Sequence, residues 1–199
     1  MRGGKAHAKA APDAWRKWHV PLSSASRTLA AAYGSLRKIA LRQRDVPLLV
    51  QLVENPRFDL PGIEIFSGAT TLHTHDYLHI VLGRGLLPKD EAFVLGFTMG
   101  SSNRVGQIEE TLFTLIARYL YPKAYRFGDE DVAVYKDAVR LGYVSDCKPL
   151  ADIRFGPMLD WPLRRIRRAI GLEEDLLRGY YAIEARRYPK SVESQRLLG

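Results

Sequence analysis

The chain has 199 residues and a mass of 22.5 kDa, with 46% apolar and 26% charged residues, the profile of a globular chain with room for one real core. A lone Cys147 excludes a disulfide scaffold and a Cys-rich zinc site, and no apolar run reaches the roughly eighteen residues of a spanning helix. The net charge of +8 is unevenly spread: residues 1–44 carry ten Lys/Arg against one acid, Asp13, whereas residues 45–199 carry twenty against twenty-one. A near-neutral body argues against a nucleic-acid-binding surface. The basic character sits at the N-terminal end, where residues 1–22 are expected to form a flexible basic arm, and such a segment suits anionic lipid head groups. Met1–Val20 lacks the apolar core of a secretory signal, while its basic, acid-poor composition leaves a short mitochondrial presequence open.

The remainder, 23–199, reads as a mainly α single domain, a bundle of about seven helices. Ser23–Arg44 is the first, with Ser23, Ser24 and Ser26 as candidate caps and Leu29, Tyr33, Leu36 and Ile39 at helical spacing. Pro47 opens a short second helix through Val53, which Asn55-Pro56 stops, and Pro61-Gly62 marks a turn. Thr70–Leu87 is apolar at Leu72, Leu78, Ile80, Val81 and Leu82, with Arg84-Gly85 closing the periodic run. Lys89–Gly100 begins with Asp90 and Glu91, which suit the positive end of a helix dipole. Gly106–Tyr121 and Asp129–Val144 follow, each with an apolar stripe, and Trp161–Ile170 and Glu173–Tyr188, the latter ended by Pro189, close the chain. Ile63–Phe66 alone has strand character, and one strand makes no sheet.

One stretch concentrates metal-ligating side chains: His75-Asp76-Tyr77-Leu78-His79, then Glu91. At about 100° per residue, His75, Asp76 and His79 lie at roughly 0°, 100° and 40° around a helix, so they share a face. A bend after Arg84-Gly85 returns the chain and lets Glu91 complete a set of two imidazoles and two carboxylates. That donor set suits zinc, or iron or manganese in an open site. The Glu between the histidines of a zinc-protease helix is absent, and with it that class's general base. His73 falls about 160° from His75, off the metal face.

His75-Asp76-x-x-His79, eleven residues, then Glu91 resembles the H-D-x-x-H-x11-E motif of the ubiquinone-biosynthesis Coq-four family. Leu82-Gly83 after the second His and the stretch from Trp161-Pro162-Leu163 to Ile170-Gly171 are similar to it as well, so the resemblance spans about residues 25–172. The chain departs from the family at Arg44–Pro47, where an Asp-Thr-Arg-Pro stretch is usual, and at Gly96-Phe97-Thr98, where many members carry Trp-x-Glu.

The resemblance implies a mostly α, membrane-peripheral protein of ubiquinone synthesis. It would bind a divalent metal, zinc before iron, at His75, Asp76, His79 and Glu91. It would act on or present a polyprenylated benzoate-type precursor, with oxidative decarboxylation at ring carbon one as the candidate reaction. The alternative is a non-catalytic prenyl-lipid-binding scaffold that organises other quinone-biosynthesis proteins. Expected partners are the prenyl lipid, an anionic membrane surface and those proteins, with a homo-oligomer open and no nucleic acid. The expected location is the cytoplasmic face of the inner membrane or, in a eukaryote, the matrix side of the mitochondrial inner membrane. Phe93, Phe97, Leu112 and Ile116 are the candidate lining of a prenyl tunnel, set against plain core packing.

Several residues carry two readings. Tyr77 faces either a substrate or the core. Asp90 either supports a ligating His or simply starts a helix, and Arg104 meets an anionic head group or only solvent. Arg164, Arg165, Arg167 and Arg168 beside Trp161 suit a membrane interface or a solvated face. A metal-dependent phosphohydrolase of the His-Asp class, with His75-Asp76 as the pair and His19 or a later Asp as a further ligand, would leave His79 and Glu91 idle.

Overall fold

The computed structural model describes residues 14–40, 72–102 and 127–199. Among these, eight α-helices and no strand are found: α1 (Ala14–Lys17), α2 (Leu29–Ala40), α3 (Leu72–Leu82), α4 (Pro88–Ser101), α5 (Asp129–Val144), α6 (Leu163–Ala169), α7 (Glu174–Arg187) and α8 (Val192–Gln195). The mainly α expectation is met. The elements expected at Pro47–Val53, Ile63–Phe66 and Gly106–Tyr121 lie outside the described residues, as does Arg104.

The first expected helix starts later than its serines suggested. Residues 23–28 form turns, and the cap is Thr28, whose Oγ1 accepts the Ala31 amide at 3.3 Å. Ahead of it α2 is tied to the α6 region by backbone bonds from Leu29 to the Trp161 carbonyl and from Leu163 to the Arg27 carbonyl. Leu29, Ala32 and Leu36 turn inward from α2.

Residues 15–22 correct the expected arm. Trp18, Val20 and Leu22 are buried in the main core, and the Trp18 indole donates to Ser35 Oγ at 3.2 Å. The domain therefore begins well before residue 23, because three large apolar side chains find cover there.

Helix α3 ends at Gly83, whose φ of 71° is the left-handed conformation that glycine tolerates, and the Arg84 amide reaches back to the His79 carbonyl at 2.8 Å. The other terminal carbonyls of α3 are also used: Arg167 Nε donates to Val81 O at 2.9 Å and Tyr181 Oη to Leu82 O at 2.5 Å. A cation at a helix C-terminus is electrostatically favourable. After a five-residue turn, Pro88 opens α4 at a position where a missing amide costs nothing, and the Asp90 carboxylate accepts the Leu87 amide at 3.1 Å.

Helix α4 is apolar all round and central, with Ala92, Phe93, Val94, Leu95 and Phe97 buried. It packs tightly on α5. A Cβ on Gly96 would stand 2.4 Å from the Tyr135 carbonyl, and one on Gly100 would stand 2.1 Å from that of Val139. Only glycine lets these backbones approach so closely. No helix among the described residues is long and apolar enough to cross a membrane.

Candidate metal centre

The Schellman turn at Gly83 and the short return to α4 bring two separated parts of the chain face to face. His75 and His79 sit one turn apart on α3, both buried, and Glu91 stands in the first turn of α4. One ligand atom from each lies within 4.8 Å of the other two. His79 Nε2 is 2.8 Å from His75 Nε2 and 3.0 Å from Glu91 Oε2, and His75 Nε2 is 3.1 Å from Glu91 Oε1.

His79 is oriented from behind. Its Nδ1 lies 2.5 Å from the Gly85 carbonyl, which only accepts, so Nδ1 carries the proton and Nε2 faces Glu91 and His75. A ring nitrogen fixed by a backbone carbonyl is the usual support of a metal-binding histidine.

Charge within the group is strongly coupled. Burial works to raise the Glu91 carboxyl, but His75 and His79 outweigh it and hold it far below the ordinary range. Burial likewise works to lower His79, but its hydrogen bond to Glu91 and the Glu91 and Asp76 charges raise it. The group thus favours a positive charge at its centre, which a proton or a divalent cation can supply.

Two imidazole nitrogens and a carboxylate are a donor set that can hold a metal ion, and three protein ligands leave a position open for a water or substrate oxygen. Glu91 Oε1 is buried and makes no hydrogen bond, its partner being the His75 ring nitrogen at 3.1 Å, so both carboxylate oxygens are turned to the two imidazoles and to nothing else. The residues present fit such an ion.

Of the four expected ligands, three converge and Asp76 stands apart from them. Asp76 is partly buried beside the group, and burial raises its carboxyl against the opposing pull of His79, His75 and His73. His73 lies off the metal face as expected: it is exposed, and its Nδ1 shares a hydrogen bond with Tyr33 Oη at 2.6 Å. Tyr77 packs against Tyr33 and Phe155, the core-side reading.

The tunnel expectation is corrected at two residues. Phe93 and Phe97 are fully buried and stacked on each other at 5.8 Å, and Phe93 also stacks on Tyr180 at 5.5 Å. Rings with no exposed surface fill the core and line no open cavity. Leu112 and Ile116 lie outside the described residues.

The basic block divides. Arg164, Arg165 and Arg168 are exposed, with Arg165 stacked 3.7 Å over Trp161, whereas Arg167 is fully buried, its Nη1 donating to Leu22 O at 3.0 Å. Sequence reasoning also missed Arg84 and its partner Glu184. A charged residue inside the apolar run Ile80–Leu87 was the available signal.

No protein-family model, curated protein or solved structure matches the chain. The fold and the site by themselves define a helical protein with a His-His-Glu group that can hold a metal ion.

Proposed function

We propose that the chain is a metal-dependent, membrane-peripheral protein of prenylquinone synthesis that acts on a polyprenylated benzoate-type precursor. The observation that carries the metal part is the convergence of His75, His79 and Glu91 across the α3–α4 turn, with the His79 ring oriented by Gly85. The substrate class rests on the motif resemblance, and the membrane part on the basic composition of residues 1–44 and on the exposed Arg164, Arg165 and Arg168.

A divalent ion there supplies Lewis-acid chemistry to a ring carboxylate or phenolate oxygen, and iron adds redox capacity. The protein's own part is to present two neutral imidazoles and one carboxylate from a site whose histidines are shielded from water. The candidate reaction replaces the ring carboxyl by hydroxyl with release of carbon dioxide: one atom of dioxygen enters the ring and the other leaves as water, so the step also takes two electrons and two protons from an external donor of the reduced nicotinamide or flavin class. The zinc or iron, the prenyl lipid and the location at the cytoplasmic or matrix face of the inner membrane belong to this reading.

Complementation of a strain that lacks its own family member tests it, with chromatography of the accumulated quinone intermediates. Restoration by the native chain and failure of Glu91→Ala is the expected result. Restoration by both leaves the scaffold role, and restoration by neither contradicts the assignment to this pathway.

A further inference from the structure

The α3–α4 turn is gripped from behind by a side chain distant in sequence. Arg196, which follows α8, is mostly buried, and its Nη2 forms an ion pair with Asp90 Oδ2. Its Nη1 donates to the Arg16 carbonyl at 2.8 Å. The same guanidinium closes against Gly85: a Cβ there would fall 1.9 Å from Arg196 Nη2 and 2.7 Å from the Trp18 carbonyl. Gly85 is the residue whose carbonyl orients His79, and Asp90 is the immediate neighbour of Glu91.

One guanidinium therefore touches both supports of the candidate metal group. Asp90, fully buried, also accepts the Leu87 amide, so the Arg196–Asp90 pair spans the turn from its glycine to the first turn of α4. The segment that delivers Arg196 is itself pinned. Ser194 Oγ donates to Glu184 Oε1 at 3.0 Å, Gln195 Nε2 donates to the Ala185 carbonyl at 2.7 Å, and Leu197 is buried.

We propose that Arg196 is a positioning residue for the metal group: by holding Gly85 and Asp90 it fixes the His79 ring and the Glu91 carboxylate at the separation an ion needs. It touches no ligand atom and acts through two intermediates. Outer supports of this kind set metal affinity because a ligand that must be reoriented binds less well. The requirement at residue 85 has the same origin. Any side chain there would displace the guanidinium, so glycine serves close approach and not a special backbone angle. The inference rests on the metal reading above.

The test uses the full chain and two probes, zinc titrated against a chelating indicator and cobalt(II) followed by its visible absorption. Arg196→Ala is expected to weaken zinc binding by about 10- to 100-fold and to change the cobalt spectrum. Arg196→Lys, which keeps the charge but loses the planar fork, is expected to fall between. Ser194→Ala serves as the control, because it loosens the same segment without touching Gly85 or Asp90. In the metal-free protein the downfield proton signal of the His79 Nδ1–H reports the Gly85 bond directly, and Arg196→Ala should shift or broaden it.

Selective loss in the Arg196 variants supports the proposal. Wild-type affinity in Arg196→Ala, or losses in Arg196→Ala and Ser194→Ala that track melting temperature alike, overturns it while leaving the metal reading intact. Failure of the wild-type chain to take up either ion overturns the metal reading and this inference with it.

Discussion

Arg84 and Glu184 meet across 100 residues of sequence as a bidentate ion pair, with Nη1–Oε1 at 3.0 Å and Nη2–Oε2 at 2.6 Å, both side chains fully buried. The guanidinium is stacked between Phe93 at 3.8 Å and Tyr181 at 4.3 Å. Removing one partner strands a charge in an apolar interior, which costs about 3–5 kcal/mol. Glu184→Gln is therefore expected to lower the melting temperature by about 10 °C or more, read by calorimetry. Replacing both, as Arg84→Met with Glu184→Leu, should recover much of that loss, because no charge is then left alone.

The arginines of α6 should separate cleanly by role. Arg167→Met leaves the Val81 and Leu22 carbonyls buried without their donor, at roughly 1–3 kcal/mol for each. The triple change of Arg164, Arg165 and Arg168 to Ser should leave stability within about 0.5 kcal/mol. It should, however, weaken sedimentation with anionic vesicles at low salt. Screening beyond about 8 Å at physiological ionic strength makes that binding salt-sensitive. Equal sedimentation with neutral vesicles would contradict the electrostatic reading.

Among the described residues the core begins at Trp18. Its side chain is 6% exposed, so Trp18→Ala should cost about 3–5 kcal/mol. A chain shortened through residue 22 loses Trp18, Val20 and Leu22 together and should fail to show a cooperative unfolding transition.

His19 gives a pH dependence of known sign. Burial first, then the charges of Arg196 and Arg84, lower its pKa from 6.5 to about 4, and its Nε2 is buried without a partner. The unfolded chain takes up a proton near pH 6.5 that the folded chain refuses until about pH 4. The stability this difference carries is complete above the upper value and is lost as pH falls through the window. At about 1.4 kcal/mol per unit the full gap is about 3 kcal/mol, and partial exposure of His19 reduces it. Urea midpoints at pH 7 and pH 5 should differ less for His19→Gln than for the native chain. An equal drop in both would contradict this assignment.

The sequence made some parts of this molecule easy to read and hid others, for physical reasons. Asp129–Val144 was legible to the residue because its acids, its stripe and its end coincide. The three converging ligands were legible because helical spacing alone aligns His75 with His79 and the turn returns Glu91. What escaped was long-range. Nothing local to Arg84, Arg167 or Arg196 announces that each is buried against a carbonyl or carboxylate from another element. Charge counts placed Arg167 with its exposed neighbours, and net charge placed Trp18 in an arm, because both measures ignore where apolar cover is found. Phe93 and Phe97 had the spacing of core and of tunnel lining alike, and only the stacked rings decide between them.

The central claim is that His75, His79 and Glu91 hold one divalent ion, and elemental analysis of the purified protein tests it most directly. The native chain should carry close to one zinc or iron per molecule after dialysis. His79→Ala and Glu91→Ala should carry almost none, and His73→Ala should match the native chain, since its ring bonds Tyr33 on another face. Asp76→Asn should keep its ion, because that carboxylate lies outside the converging group. Full occupancy in His79→Ala, or an empty native chain after incubation with either metal, would contradict the account.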